Sequence, residues 1–248
     1  MKKLLIDGDI IAYKSTASAE FESNLGGDYW LLATNLGEAK AIVSEYVDDL
    51  TRHSGAENVV FAFSGSHNYR KDVDPDYKSH RKETRKPLGY RPLVEWMMSA
   101  YEHKVFPNIE GDDVLGLFSE DYVLVSEDKD LKTVPSVHWD PKQKAYVEYS
   151  LADANRWWLT QTLTGDPTDG YKGAHRVGIK TAEKLLDRFD CETDMQFAWI
   201  AVVATYEKAG QTEDDAIRNA RLARILRPNE YNFKTNEVEI WNPQSLIQ

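Results

Sequence analysis

Lys2-Lys3-Leu4-Leu5-Ile6-Asp7-Gly8-Asp9 opens the chain on a short apolar run that stops at a carboxylate. Consecutive aliphatic residues bounded by an Asp-Gly pair read as a buried strand, Lys2–Ile6, ending in a turn. The same order returns at Tyr122-Val123-Leu124-Val125-Ser126-Glu127-Asp128-Lys129-Asp130, where a strand over Tyr122–Val125 again runs into acids. Between them the pattern predicts an amphipathic helix over Leu36–His53 and a strand over Asn58–Phe63. Helices follow over Pro92–Tyr101, with proline in the first turn, and over Asp112–Glu120. Further strands are expected at Ser136–Trp139 and Ala145–Tyr149. Strands alternating with helices predict an α/β domain with a largely parallel sheet. In such sheets ligands sit beyond the carboxyl ends of the strands, which is where Asp7 and Asp128 stand.

From Ser150 onward the periodicity is helical, over Ser150–Leu163, Ile179–Phe189, Asp194–Lys208 and Glu213–Leu226. The chain has 248 residues, 42% of them apolar, enough for one large core and a small helical part. Its single cysteine, Cys191, excludes a disulfide framework and a thiolate zinc site. The first apolar run breaks at Asp7, too early for a signal peptide, and no stretch is long enough for a membrane helix. The expectation is a soluble, cytoplasmic protein with no membrane partner. Net charge is −11, which opposes binding to a polyanion. Two features weaken that objection. Candidate metal ligands account for most of the excess, and bound divalent ions would reverse the local field. Basic residues also gather in one segment of low apolar content: Arg70, Lys71, Lys78, Arg81, Lys82, Arg85, Lys86 and Arg91. This segment, 65–91, reads as an exposed loop or weakly helical excursion.

Each acidic cluster has an ordinary explanation. Asp7 can end a strand in a turn, and Glu110-Gly111-Asp112-Asp113 can complement a helix dipole. Asp128 and Asp130 can belong to a surface turn, and Gly165-Asp166-Pro167-Thr168-Asp169-Gly170 to a tight loop. If they converge, the eight carboxylates Asp7, Glu110, Asp112, Asp113, Asp128, Asp130, Asp166 and Asp169 make a site for hard divalent ions. After Asp169 comes a glycine-containing turn leading into a helix, Gly170 to Leu186, in the manner of a helix-hairpin-helix. Amides near Gly178, with Lys180 and the Thr181 hydroxyl, could hold a backbone phosphate there. The spacing from Gly173 to Gly178-Ile179-Lys180-Thr181 approaches a nucleotide-binding P-loop. One residue too many separates the second glycine from the lysine, and no strand precedes it, so that reading fails. His175 is expected to face solvent or phosphate, and the tryptophans, Trp157-Trp158 included, are expected in the core.

Taken together, these blocks resemble the flap endonuclease and 5′-nuclease family, with greatest similarity to the 5′→3′ exonucleases of short-tailed phages. The likeness runs from Leu5-Ile6-Asp7-Gly8-Asp9 to Ala223-Arg224-Ile225-Leu226-Arg227-Pro228-Asn229-Glu230-Tyr231-Asn232-Phe233. Its most specific blocks are Asn68-Tyr69-Arg70-Lys71, Asp74-Pro75-Asp76-Tyr77-Lys78-Ser79-His80-Arg81-Lys82, Glu110–Asp113, Asp128-Lys129-Asp130 and Gly165–Tyr171. The resemblance implies a PIN-like nuclease domain over 1–150 with a helical arch about 65–91. It also implies a helical DNA-binding part over 151–248 with a helix-three-turn-helix about 157–190. Asp7, Glu110 and Asp112 would hold a first ion, and Asp113, Asp128, Asp130, Asp166 and Asp169 a second, some through water. Lys78 and Arg81 would meet the scissile phosphate. Arg70, Lys71, Tyr77, Lys82, Arg85, Lys86, Gly173, Gly178, Lys180 and Thr181 would contact DNA, with Tyr69 or Tyr77 stacking on an unpaired base.

The implied chemistry is hydrolysis of DNA phosphodiesters with two Mg²⁺ or Mn²⁺ ions about 4 Å apart, without a histidine base. A potassium ion at the hairpin is a further cofactor the family suggests. Expected partners are duplex DNA with 5′ ends, nicks or flaps, with RNA–DNA hybrids left open, acted on by a monomer. Two departures stand out. The family carries another first-ion aspartate after the strand ending Phe61-Ala62-Phe63, and the position here is Gly65, between Ser64 and Ser66. Arg176 stands where a hairpin glycine is common. The Gly65 vacancy keeps open a structure-specific DNA-binding protein with weakened catalysis, and a PIN-like ribonuclease is a third possibility.

Overall fold

The computed structural model describes residues 2–246, the side chains of Lys82 and Glu83 excepted. In chain order, β1 (Lys3–Asp7) runs into α1 (Gly8–Ser18), and a hairpin of β2 (Glu20–Asn24) and β3 (Trp30–Thr34) follows. Next come α2 (Leu36–Ser54), β4 (Asn58–Phe63), the one-turn α3 (Arg70–Val73), α4 (Tyr90–Ala100) and β5 (Glu102–Val105). Then follow α5 (Gly111–Leu117), β6 (Val123–Val125), β7 (Ser136–Asp140) and β8 (Ala145–Tyr149). The central sheet has six strands in the order β5-β4-β1-β6-β7-β8. All its pairings are parallel except β7 with β8.

This order explains the composition of β1. Leu4 and Ile6 pack under α1, α2 and α4, while Leu5 points to the opposite core with Val114 and Leu115 of α5. All three are fully buried, as expected of a parallel strand covered on both faces. The chain leaves β1 toward β4 on one side and reaches β6 on the other, so the sheet reverses direction beside β1. The crevice at that reversal opens at the carboxyl ends of β1, β4 and β6.

Beyond the sheet, α6 (Leu151–Thr164) leads to the paired segments β9 (Gly165–Asp166) and β10 (Tyr171–Lys172), then to α7 (Ile179–Leu186), α8 (Met195–Lys208) and α9 (Glu213–Ala223). A separate core of Trp158, Leu163, Leu186, Trp199, Val202 and Ala216 joins these helices. The tail then returns to the sheet. Ile225, Leu226 and Tyr231 are buried against α5 in the same core as Leu5, so the stretch from 151 onward is not purely a helical part.

The structure corrects several sequence expectations. Helix α1, the β2–β3 hairpin and β5 have no counterpart in the sequence pattern. Segment 65–91 is weakly helical, with short turns at Arg70–Val73 and Ser79–Glu83, but it is not wholly exposed, because Tyr69, Arg70 and Tyr77 are buried. Trp30 is exposed and Trp157 half-buried, whereas Trp158 lies in the core. Among the described residues, no helix is long and apolar enough to cross a membrane.

Candidate metal centre

Asp7 closes β1 and caps α1, its Oδ1 accepting from the Ile10 amide at 3.0 Å. Its Oδ2 accepts from Ser126 Oγ at 3.2 Å, and that hydroxyl accepts from the Asp128 amide at 3.0 Å. One serine thereby stitches the ends of β1 and β6. Asp128 caps the 3₁₀ turn Lys129–Thr133, accepting from the Asp130 amide at 2.9 Å. Asp112 sits in the first turn of α5, and its Oδ1 is fully buried without a hydrogen-bond partner. Burial pushes the Asp7 carboxyl up to about 7, with the charges of Asp9 and Asp128 adding to it. Burial likewise lifts Asp112 well above the usual carboxylate range, and Asp7 and Asp128 raise it further.

Around this inner group lies a ring of carboxylates already paired with cations. Glu110 accepts from Lys78 Nζ at 2.8 Å and from the Tyr77 hydroxyl at 3.2 Å. Burial opposes its charge, yet Lys78 and Arg70 outweigh burial and lower its pKa. Asp169 accepts from Tyr77 at 2.7 Å and from Arg81 at 2.9 Å, with Lys78 Nζ 3.6 Å away. Lys129 Nζ spans Asp130 at 2.9 Å and Asp166 at 2.6 Å. Asp130 is nonetheless raised, by burial and by Asp128, whereas Lys129 and the Thr168 amide overcome burial at Asp166 and lower it. The cleft so formed encloses about 280 Å³.

Asp113 departs from the expected ligand set. It is fully buried, and both its oxygens accept from the Arg70 guanidinium at 2.7 Å. The amides of Leu226 and Glu110 also donate to it, at 3.1 Å each. Its lone pairs are spent inside the core, behind the cleft. The same pairing removes Arg70 from the DNA-facing set. Tyr69 and Tyr77, both buried, present no ring for a base to stack on. Arg85 is exposed but held by Glu20 at 2.8 and 3.0 Å.

Gly173 is buried, and a Cβ there would stand 2.2 Å from the Leu163 carbonyl oxygen, so it serves close packing rather than phosphate contact. Gly178, Lys180 and Thr181 are exposed at the N-terminus of α7, which no side chain caps. Lys71, Arg81 and Lys86 are exposed as expected, while the Lys82 side chain lies outside the described residues. Gly65 does not face the cleft: a Cβ there would meet the Phe106 carbonyl oxygen at 2.1 Å. Ser64 lines the cleft instead. Sequence reasoning misses Asp9, Ser64, Tyr90 and Lys129 as cleft-lining residues. Of these only Asp9 carries a signal, as the second acid of Asp7-Gly8-Asp9.

Among the described residues, no group of three such side chains is gathered tightly enough to enclose an ion as placed. The donor set still fits a hard cation. Asp7, Asp112 and Asp128 repel one another in one cleft, one buried Asp112 oxygen has no partner, and lysines already neutralise the outer acids.

Residues 2–151 match the 5′-3′ exonuclease, N-terminal resolvase-like domain. The chain belongs to the 5′-3′ exonuclease family. The exonuclease of Escherichia phage T7 is 30% identical to this family member over 97% of this chain and 93% of the relative. The exodeoxyribonuclease of Enterobacteria phage T3 is 30% identical over 98% and 93%. In fold, this 5′-3′ exonuclease chain resembles the flap endonuclease of bacteriophage T5, solved with DNA and metal ions, at a TM-score of 0.63 and 16% identity over 90% and 89% of the two chains. The exonuclease family membership makes the chain a hydrolase, and its mixed α/β fold with a largely parallel sheet agrees with that likeness.

Proposed function

We propose that the cleft hydrolyses phosphodiester bonds near the 5′ ends of DNA, on duplex ends, nicks or flaps, with Mg²⁺ or Mn²⁺ held by Asp7, Glu110, Asp112, Asp128, Asp130, Asp166 and Asp169. The observation that carries this reading is that Asp7, Asp112 and Asp128 line one cleft at the sheet's reversal point and repel one another, with one buried Asp112 oxygen left unpartnered. When bound, divalent ions of this kind activate a water and stabilise the attacking and leaving oxygens.

The protein's own groups do the rest. Asp7, Asp112 and Asp128 supply negative charge, with Asp7 fixed by Ser126 and the Ile10 amide and Asp128 by the Asp130 amide. Lys78, drawn inward by Glu110 and Asp169, offers an ammonium to the scissile phosphate; burial disfavours its charge, but those two acids raise its pKa. Arg81 stands further out, where it can steer the next phosphate. The exposed amides at the start of α7, with Lys180 and Thr181, fit the duplex backbone downstream, which is the helix-three-turn-helix role for 157–190. Potassium at the loop before α7 rests on the family likeness alone.

The test uses 5′-labelled duplex, flap and RNA-primed DNA substrates with Mg²⁺, with Mn²⁺ or with chelator. Cleavage in the metal arms and none with chelator is the expected outcome. Equal cleavage with chelator would refute the metal reading. Cleavage of the RNA primer would extend the substrate class to hybrids.

A further inference from the structure

We propose that Asp9 supplies the first-ion carboxylate that the family places after β4 and that this chain lacks at Gly65. The assignment rests on the metal-dependent reading above. The backbone at Gly65 cannot be the place for it, because the direction a side chain would take there is filled by the Phe106 carbonyl. What stands at the end of β4 instead is a carboxylate from another element. The Ser64 amide, one residue beyond β4, donates to Asp9 Oδ2 at 2.8 Å. On the other side, the Tyr90 hydroxyl donates to Asp9 Oδ1 at 2.7 Å. Asp9 is therefore held in one orientation, bridging the end of β4 and the start of α4.

That orientation is toward the centre. A methyl group placed on Gly111, between Glu110 and Asp112, would stand 3.1 Å from Asp9 Oδ2. Asp9 lines the cleft with Asp7, Asp112 and Asp128. Each Asp9 oxygen receives one hydrogen bond among the described residues, which leaves a lone pair on each for a cation. The buried, unpartnered Asp112 Oδ1 in the same cleft independently marks a missing positive partner. An aspartate fixed by an amide and a tyrosine hydroxyl is also what orients a metal-binding carboxylate through its outer contacts.

The experiment measures Mn²⁺ uptake by DNA-free protein, through calorimetry and the paramagnetic spectrum of the ion. Asp9→Asn is isosteric and can keep both hydrogen bonds, accepting from Ser64 and donating to Tyr90. A thermal melt reports whether the fold is kept. The expected result is loss of affinity for one of two ions by about tenfold or more, with the other unchanged. Tyr90→Phe should weaken the same ion by a smaller factor, since it only loosens Asp9. If Asp9→Asn binds both ions as the parent does, the assignment of Asp9 is overturned while the metal centre stands. If the parent itself takes up no divalent ion, the metal-dependent reading falls, and the proposal with it.

Discussion

Asp112 and Asp113 are neighbours in sequence and end on opposite sides of α5. Adjacent helical positions do not share a face, so one carboxylate enters the cleft and the other the core. Their substitutions should therefore separate stability from chemistry. Arg70→Met leaves Asp113 buried and uncompensated, and should cost about 3–5 kcal/mol of unfolding free energy in urea titration. Arg70→Met combined with Asp113→Leu should recover part of that loss. Asp128→Asn removes a repulsive charge, so its melting temperature should not fall, while DNA cleavage drops at least about a hundredfold and DNA binding persists. Cleavage at the parent rate would refute the role of Asp128. An Asp at position 65 is not expected to raise activity, since it must first displace the Phe106 carbonyl.

The elements that carry the cleft are readable wherever an apolar run meets an acid. Leu4-Leu5-Ile6 and Val123-Leu124-Val125 belong to strands covered on two faces, so hydrophobicity alone marks them. Strand β5 is Glu102-His103-Lys104-Val105 at the sheet edge, where pairing with β4 and not burial makes it a strand. Helix α1 is hidden because Asp7-Gly8-Asp9 reads as a turn, although Asp7 is its cap. The basic segment 65–91 is legible as charge but not as anchorage. Lys78 and Arg81 fasten it to Glu110 and Asp169, and Tyr90 fastens its far end to Asp9. Lys78→Ala with Arg81→Ala should slow turnover and flatten its salt dependence, by about one counterion for each phosphate that no longer meets a cation. An unchanged salt slope would place both residues off the phosphate path.

Strand β7 supplies a pH prediction of its own. His138 is buried edge-on against Tyr149, and burial pushes its pKa down from 6.5 to about 4. The unfolded chain takes up this proton at higher pH than the native state does. Its contribution is thus full above about pH 6.5 and is lost as pH falls toward about 4. Urea titrations of the parent and His138→Gln should show the parent losing about 2 kcal/mol more between about pH 7 and about pH 5.

At the scale of the whole molecule, the helical core and the core between the sheet and α5 exchange residues. Tyr77, from the basic segment of the first part, is buried in the core of α6 to α9. In return Ile225, Leu226 and Tyr231, past the end of α9, are buried with Leu5, Val60 and Leu115 under the sheet. Polar contacts follow the same exchange: the Tyr231 hydroxyl donates to the Pro107 carbonyl at 3.0 Å, and Asn108 Nδ2 to the Asn236 carbonyl at 3.0 Å. The inward-facing carboxylates therefore depend on a tail remote in sequence, since the Leu226 amide binds Asp113, the neighbour of Asp112. Such mutual burial predicts one cooperative unfolding transition, with tryptophan fluorescence and far-ultraviolet circular dichroism coinciding. Leu226→Ala should lower the stability of that single transition by about 2–5 kcal/mol. If the tail were merely laid on the surface, Leu226→Ala would leave the transition in place. If the parts folded independently, the two probes would separate, and residues 1–150 alone would melt as the intact chain does. Exposure of the surface under Leu226 and Tyr231 predicts instead that the isolated segment is proteolysed far faster than the full chain.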